Sequence, residues 1–212
     1  MQCKSTANYS QQISVEGSEM PRRKVVNHKT PAKLSRGRSH TPSNVITVDG
    51  DIFSLTKERI HAGRYGSSVI IPHVCNNVGA FGAGFAGAVR NTYPEVATNF
   101  ELLGRPRLGY VQFIPVLREP SYEYRLVFAN MIAQNKTISQ ANPRPLNYEA
   151  LVTCMANVRE SVLKSGFDKV EFHCPKFGSG LAGGDWSLIE LLIEDIWKDF
   201  KVVVYNPPKA KK

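Results

Sequence analysis

Apolar and polar positions divide the middle of the chain into β-rich runs separated by helical patterns. Val45 to Val48 reads as a short strand, and Ser68 to Cys75 (SVIIPHVC) as a buried strand interrupted at Pro72, since proline has no N–H for a ladder. A helix is predicted to begin over Phe85 to Tyr93. Leu108 to Leu117 and Tyr124 to Ala133 are apolar, partly β-branched runs with Arg-Glu-Pro-Ser between them, which predicts paired strands joined by a loop. Behind Asn147, a suitable cap, Leu151, Val152, Met155, Val158, Val162 and Leu163 follow the helical period until Gly166. Lys169 to Pro175 alternates, with Val170, Phe172 and Cys174 on one side. Ser187 and Glu190 have capping-box spacing ahead of Leu188, Leu191, Leu192, Ile196 and Trp197. Lys201 to Tyr205 is a last strand, broken by Asn206-Pro207-Pro208. Alternation of strand and helix at these lengths predicts an α/β fold, a three-layer α/β/α sandwich around a mixed central sheet.

Composition narrows this to one domain with tails: 212 residues at 42% hydrophobic content supply one sizeable core. The net charge of +9 suggests a nucleic-acid binder until it is located. Residues 1–45 hold eight Lys/Arg against two Glu, residues 206–212 hold three Lys, and residues 46–205 hold 16 of each sign. The expected organisation is therefore a basic arm over 1–44, a charge-balanced domain over 45–205 and a basic tail over 206–212. The arm is rich in Ser, Thr, Asn, Gln and Pro and is expected to be disordered, because it cannot repay the entropy of ordering. Pro21 to His40 within it reads either as a solubilising segment or as a weak contact to a polyanion. No apolar run approaches the ~18 residues of a membrane span, and no signal peptide is evident. The expectation is a monomer inside the cell, in the cytoplasm, with the nucleus left open. Cys3, Cys75, Cys154 and Cys174 lack CxxC spacing and no pair of histidines has helical ligand spacing, so neither a disulfide framework nor a structural zinc is expected, and the expectation is a protein without metal or cofactor.

The pattern that carries chemistry is G-x-G-x-x-G, present as Gly82-Ala83-Gly84-Phe85-Ala86-Gly87 and again as Gly178-Ser179-Gly180-Leu181-Ala182-Gly183. Each copy stands between a predicted strand and a predicted helix. Glycines suit such a place because a phosphate must reach several backbone N–H groups and a Cβ would obstruct it. The following helix adds unsatisfied N–H groups and the positive end of its dipole. One copy alone is equally a tight turn; two copies at one sheet edge could clasp a diphosphate from both sides. Neither copy contains Lys or Arg. No segment matches G-x-x-x-x-G-K-[ST], which argues against a P-loop, and a dinucleotide fold has no use for a second glycine loop late in the chain.

Over about 160 residues, from Val45 to Tyr205, the sequence resembles the macrodomain family. The blocks that carry the resemblance are Val48-Asp49-Gly50-Asp51-Ile52, the run from His73 to Ala86 (HVCNNVGAFGAGFA), Asn147-Tyr148-Glu149-Ala150-Leu151 and the run from Phe177 to Trp186 (FGSGLAGGDW). The resemblance implies a cleft for ADP-ribose or a derivative at one edge of the sheet. It implies Asp51 on the adenine amino group with Ile52 beside it, Asn76 and Asn77 near the distal ribose, and Gly82, Ala83, Gly84 and Phe85 facing Gly178, Ser179, Gly180, Leu181 and Ala182 across the diphosphate. Read without the family, Asp51, Asn76 and Asn77 are also ordinary turn residues. The chain is most similar to the branch containing ADP-ribose 1″-phosphate phosphatases and deacylating ADP-ribosyl hydrolases. His73 matches a histidine of the phosphatase type; titrating near neutrality, it could orient or activate water, though a histidine on a buried strand is more often a core residue. Asp185 is either a catalytic partner or a favourable charge near a helix start. The deacylating branch uses an aspartate and a lysine where this chain has Ala182 and Ala133-Gln134-Asn135, with Lys136 close by. The expectation is a phosphatase acting on ADP-ribose 1″-phosphate; the alternatives are an ADP-ribosyl hydrolase acting on protein or nucleic acid, and a binding module without catalysis.

Overall fold

The structure, a computed structural model, describes residues 43–62, 67–118, 124–167 and 169–207. The expected disordered arm, apart from its last two residues, and the tail beyond Pro207 lie outside the described residues. The elements are β1 (Val45–Asp49), α1 (Ile52–Ala62), β2 (Ser67–Asn76), α2 (Gly84–Thr92), α3 (Pro94–Glu101), β3 (Val111–Arg118), β4 (Tyr124–Gln134), α4 (Tyr148–Lys164), β5 (Lys169–Pro175), α5 (Trp186–Ile196) and β6 (Lys201–Asn206). Asn44, counted with the arm above, donates from its amide to the carbonyls of Trp197 (2.9 Å) and Phe200 (3.0 Å), so it is fastened to the folded domain.

Six strands form one mixed sheet in the order β1-β6-β5-β2-β4-β3. Neighbours run parallel except β3, which is antiparallel to β4. Each face carries its own core. Phe172, Cys174, Val202 and Val204 meet Leu151, Met155 and Val158 of α4 and Ile189 and Ile193 of α5. On the other face Val69, Ile71, Phe128 and Val203 meet Ile52 and Phe53 of α1, Val89 of α2 and Val96 and Phe100 of α3. The chain is thus a three-layer α/β/α sandwich, the arrangement its alternating pattern predicts.

Three local expectations need correction. Pro72 does not interrupt β2. The strand stays in register with β4 through Pro72↔Ala129, while its pairing with β5 stops at Ile70↔Phe172. Proline is tolerated there because β2 has already parted from β5. Helix α5 is capped by Asp185, whose carboxylate accepts from Ser187 N at 2.8 Å, and not by a Ser187/Glu190 box. Its buried stripe is Ile189, Ile193 and Trp197, whereas Leu188 and Leu191 face solvent. Helix α1, for which the sequence gives no clear period, contributes Ile52, Phe53 and Thr56 to the interior. The cap of α4 does follow the sequence: Asn147 accepts from Ala150 N at 2.8 Å, and Gly166 at φ +73° ends the helix.

The parting of β2 and β5 positions the site. Helix α2, which follows β2, enters one helical layer, and α5, which follows β5, enters the other. A crevice opens between the carboxyl ends of adjacent strands whose connections leave in opposite directions.

Candidate functional site

Both glycine loops face this crevice. It is a cleft of about 460 Å³, walled on one side by Gly82, Ala83, Gly84 and Phe85 and on the other by Gly178, Gly180, Leu181 and Ala182. The walls approach closely: a Cβ on Gly84 would sit 3.3 Å from Cδ1 of Leu181.

The first wall is the amino end of α2. Its cap position is Ala83, which makes no side-chain hydrogen bond to the helix. The first intrahelical bond runs from Gly87 N to Ala83 O, leaving the amides of Gly84, Phe85 and Ala86 without a partner among the described residues. Helices α1, α4 and α5 all have carboxylate or amide caps. In the second wall, Gly183 N bonds to Gly180 O at 2.9 Å and Gly184 N to Gly178 O at 2.8 Å. That folding back leaves the amides of Gly180, Leu181 and Ala182 likewise unused among the described residues. Six main-chain donors and a positive helix end therefore line one cleft, the arrangement an anion needs.

The glycines of the loops differ in what they are for. Gly184 packs with no room for a Cβ, which would meet Gly178 O at 2.7 Å. Gly82 and Gly180 meet nothing within 4 Å, and neither has a positive φ. Nothing among the described residues requires glycine at these two positions; a ligand lying against the backbone would.

Beneath the first loop, His73 is 1% exposed, with Phe81, Phe85 and Phe128 around its ring. A chain of side-chain amides fixes its proton. The Asn99 carbonyl can only accept, so Gln112 donates to it with Nε2 (3.0 Å) and accepts with Oε1 from Asn130 Nδ2 (3.1 Å). Asn130 Oδ1 is then an acceptor, 2.6 Å from His73 Nε2, which must carry the hydrogen. Nδ1 is left with its lone pair, 3.6 Å from Cys75 Sγ. Burial, only partly offset by the bond to Asn130, lowers the His73 pKa to about 4. The expectation of a histidine titrating near neutrality is corrected: His73 is a neutral Nε2–H tautomer over the physiological range.

The other expected residues separate into those at the cleft and those beside it. Asn76 lines the cleft, but its amide is occupied by the turn after β2, donating to Ala80 O (2.5 Å) and accepting from Val78 N (3.1 Å) and Ala80 N (3.0 Å). Asn77 ties this turn to the segment after β4, donating to Asn135 Oδ1 (3.3 Å) and accepting from Lys136 N (2.7 Å). Ser179 turns its hydroxyl back to Lys176 O at 2.8 Å. Asp51 is exposed and caps α1 through bonds from Ser54 N and Oγ, both 2.8 Å. Ile52 is buried against the sheet; the stack of Phe53 on Phe85, at 5.6 Å, joins this end of the molecule to the cleft wall. Asp185 is outside the lining of the cleft, engaged as the α5 cap.

Lining residues far in sequence from the two glycine loops were not singled out in the sequence, among them Gln134 at the end of β4 and Thr137 and Ile138 after it; Lys176, just before the second loop, was missed as well. Gln134, Thr137 and Ile138 reach the cleft through the sheet order, which no local pattern encodes. Lys176 is the one Lys or Arg among the lining residues, and its ammonium lies over the Trp186 ring at 5.7 Å. Lys136, beside the first of these segments, has a left-handed backbone at φ 61° held by the bond to Asn77.

No family model matches the sequence. A protein of Enterobacteria phage T4 described as an uncharacterized 17.5 kDa protein in the tk-vs intergenic region is 25% identical over 162 residues, 75% of this chain and 94% of that protein. Among solved structures, the macrodomain protein from Streptomyces coelicolor is 28% identical, with a TM-score of 0.56 over 76% of this chain and 98% of its own. Thermosipho africanus DarTG, solved in complex with ADP-ribose, shares the fold at 16% identity, with a TM-score of 0.53 over 70% of this chain and 43% of its own. The sheet order, the two glycine walls at its carboxyl edge and this likeness to solved macrodomains agree, and the chain has the macrodomain fold.

Proposed function

We propose that the cleft binds ADP-ribose or a derivative of it, with the diphosphate between the amino end of α2 and the second glycine loop. The observation that carries this reading is the pair of glycines, Gly82 and Gly180, whose missing Cβ atoms face open space in a cleft lined by six unused amides. A diphosphate fills such a space and uses those donors. The ADP-ribose complex of DarTG provides a ligand of that chemistry on the same fold.

In this reading the protein is a hydrolase that releases phosphate from ADP-ribose 1″-phosphate. Water attacks the terminal phosphorus, the bond from phosphorus to the C1″ oxygen breaks, and ADP-ribose and phosphate leave. His73 is not a proton donor here, since it is neutral; its Nδ1 lone pair accepts a hydrogen bond from the water and orients it. A binding module without catalysis is the second reading, favoured by the position of His73 beneath Phe85 and by the engagement of Asp185 as a helix cap.

The two readings separate in one assay. The protein is incubated with ADP-ribose 1″-phosphate and, separately, with protein carrying ester-linked ADP-ribose, and phosphate and ADP-ribose are measured. Phosphate release from the first substrate alone supports the phosphatase. No turnover of either, with ADP-ribose bound in calorimetry, supports the binding module. Failure to bind ADP-ribose removes both.

A further inference from the structure

A second concave surface lies along the edge strand. Helix α4 packs over β4 and leaves one side of β3 uncovered, and a groove of about 430 Å³ runs between α4 and β3. Its walls include Arg107, Tyr110, Phe113, Thr153, Asn157 and Ser161. It shares Phe113 and Ser161 with an apolar hollow of about 260 Å³ further along α4, so the two make one trough.

The chemistry of the trough is specific. Tyr110 and Phe113 are 46% and 36% exposed, in a domain that buries Phe81, Phe100, Phe128 and Phe172. Arg107 in the trough wall and Arg105, two residues before it in the chain and outside the lining, are both exposed and make no ion pair among the described residues, whereas Arg90 pairs with Glu101 and Arg159 with Asp199. No carboxylate lines the trough among the described residues. Uncompensated arginines beside two exposed rings are unusual in a domain whose charges otherwise balance.

We propose that this trough binds single-stranded nucleic acid, with phosphates at Arg105 and Arg107 and bases stacked on Tyr110 and Phe113. Tyr110, just before β3, and Phe113, within it, line the same groove, and their Cα positions are ~10 Å apart along near-extended chain, so both rings are within reach of one short strand. An acidic peptide would satisfy the arginines and leave the rings unused. Unpaired bases offer a face to each ring and a negative charge at every step. In a duplex those faces are already stacked, so the trough selects single strands. The basic arm and tail add sequence-independent attraction without defining the site.

The test uses the full chain and a fluorescein-labelled 15-nucleotide single strand, read by anisotropy across a salt series. Calorimetry with ADP-ribose on each variant reports the other cleft. Tyr110→Ala is expected to weaken oligonucleotide binding about tenfold or more, the usual loss for a stacked base. Arg105→Gln combined with Arg107→Gln is expected to lower the salt slope by about 1.4, the value for two phosphate contacts on a single strand. ADP-ribose affinity should be unchanged in both. If both variants bind the oligonucleotide with the affinity and slope of the wild type, the proposal is overturned and any binding belongs to the tails. Preference for a duplex or for polyglutamate overturns it as well. Photo-cross-linking of the wild type to a 5-iodouridine strand gives a reading independent of any variant: adducts on residues 105–113 support the trough, and adducts only in the arm or tail contradict it. Loss of ADP-ribose binding by the wild type would bear on the other cleft alone.

Discussion

Replacing Gly180 by alanine adds one methyl group where the protein has room for it. The nearest heavy atom lies beyond 4 Å and the backbone is outside the left-handed region, so the folded state accepts the side chain without strain. Such a change stabilises a protein by about 0.4–1 kcal/mol, because alanine has less backbone freedom to lose on folding. For a domain of this size that raises Tm by roughly 1–4 °C. The methyl group occupies the space the diphosphate needs. Displacing one hydrogen bond to a charged group costs about 1.5–3 kcal/mol, so ADP-ribose should bind roughly 10- to 150-fold more weakly. Thermal unfolding and calorimetry on the same sample read the two effects, which are expected in opposite directions. Gly82→Ala should behave alike. Gly184→Ala is the contrast, since its Cβ would meet Gly178 O at 2.7 Å, and it should lose stability. The reasoning is refuted if Gly180→Ala binds ADP-ribose as the wild type does, or if it unfolds several degrees earlier.

Other outcomes follow from individual side chains. The folded pKa of His73, about 4, lies below its unfolded value of 6.5, so the unfolded chain takes up the proton first. This term is fully favourable above pH 6.5 and is lost as pH falls toward 4, on the order of 3 kcal/mol; urea unfolding across that window should show the slope, and His73→Gln should flatten it. Gln112→Leu cuts the amide chain from Asn99 to Asn130 and should cost about 1–3 kcal/mol, the penalty for an unsatisfied buried donor. Long-range nitrogen spectra of this variant should show the His73 Nε2–H tautomer of the wild type losing its dominance; an unchanged tautomer would remove the relay. Asp185→Ala should cost about 0.5–2 kcal/mol as a lost cap and leave phosphate release intact, whereas a hundredfold fall in rate would return Asp185 to the chemistry.

What the sequence revealed depended on how local the determinant is. Asn147, the period of α4 and Gly166 lie within 20 residues of one another and specify their helix without help. The two glycine patterns were visible for the same reason. Helix α5 carries apolar residues on most of its surface, so periodicity could not choose between Leu188 and Ile189; packing on β5 and β6 buries Ile189 and Ile193. The cap of that helix was misplaced because Ser187 with Glu190 imitates a capping box two residues inside the true start. The relay that sets the His73 tautomer draws on α3, β3, β4 and β2, and its members come together only once β3 turns back along β4. Gln134 and Thr137 join the cleft because β4 lies beside β2, a neighbour relation that strand order supplies and sequence spacing does not.

The account turns on capture of a diphosphate by main-chain donors from both walls at once. Titrating ¹⁵N-labelled protein with ADP-ribose and following each amide tests this directly. The amides of Gly84, Phe85 and Ala86 and those of Gly180, Leu181 and Ala182 should shift together, saturating with one dissociation constant. Saturating shifts confined to one wall, or centred elsewhere on the molecule, would contradict it.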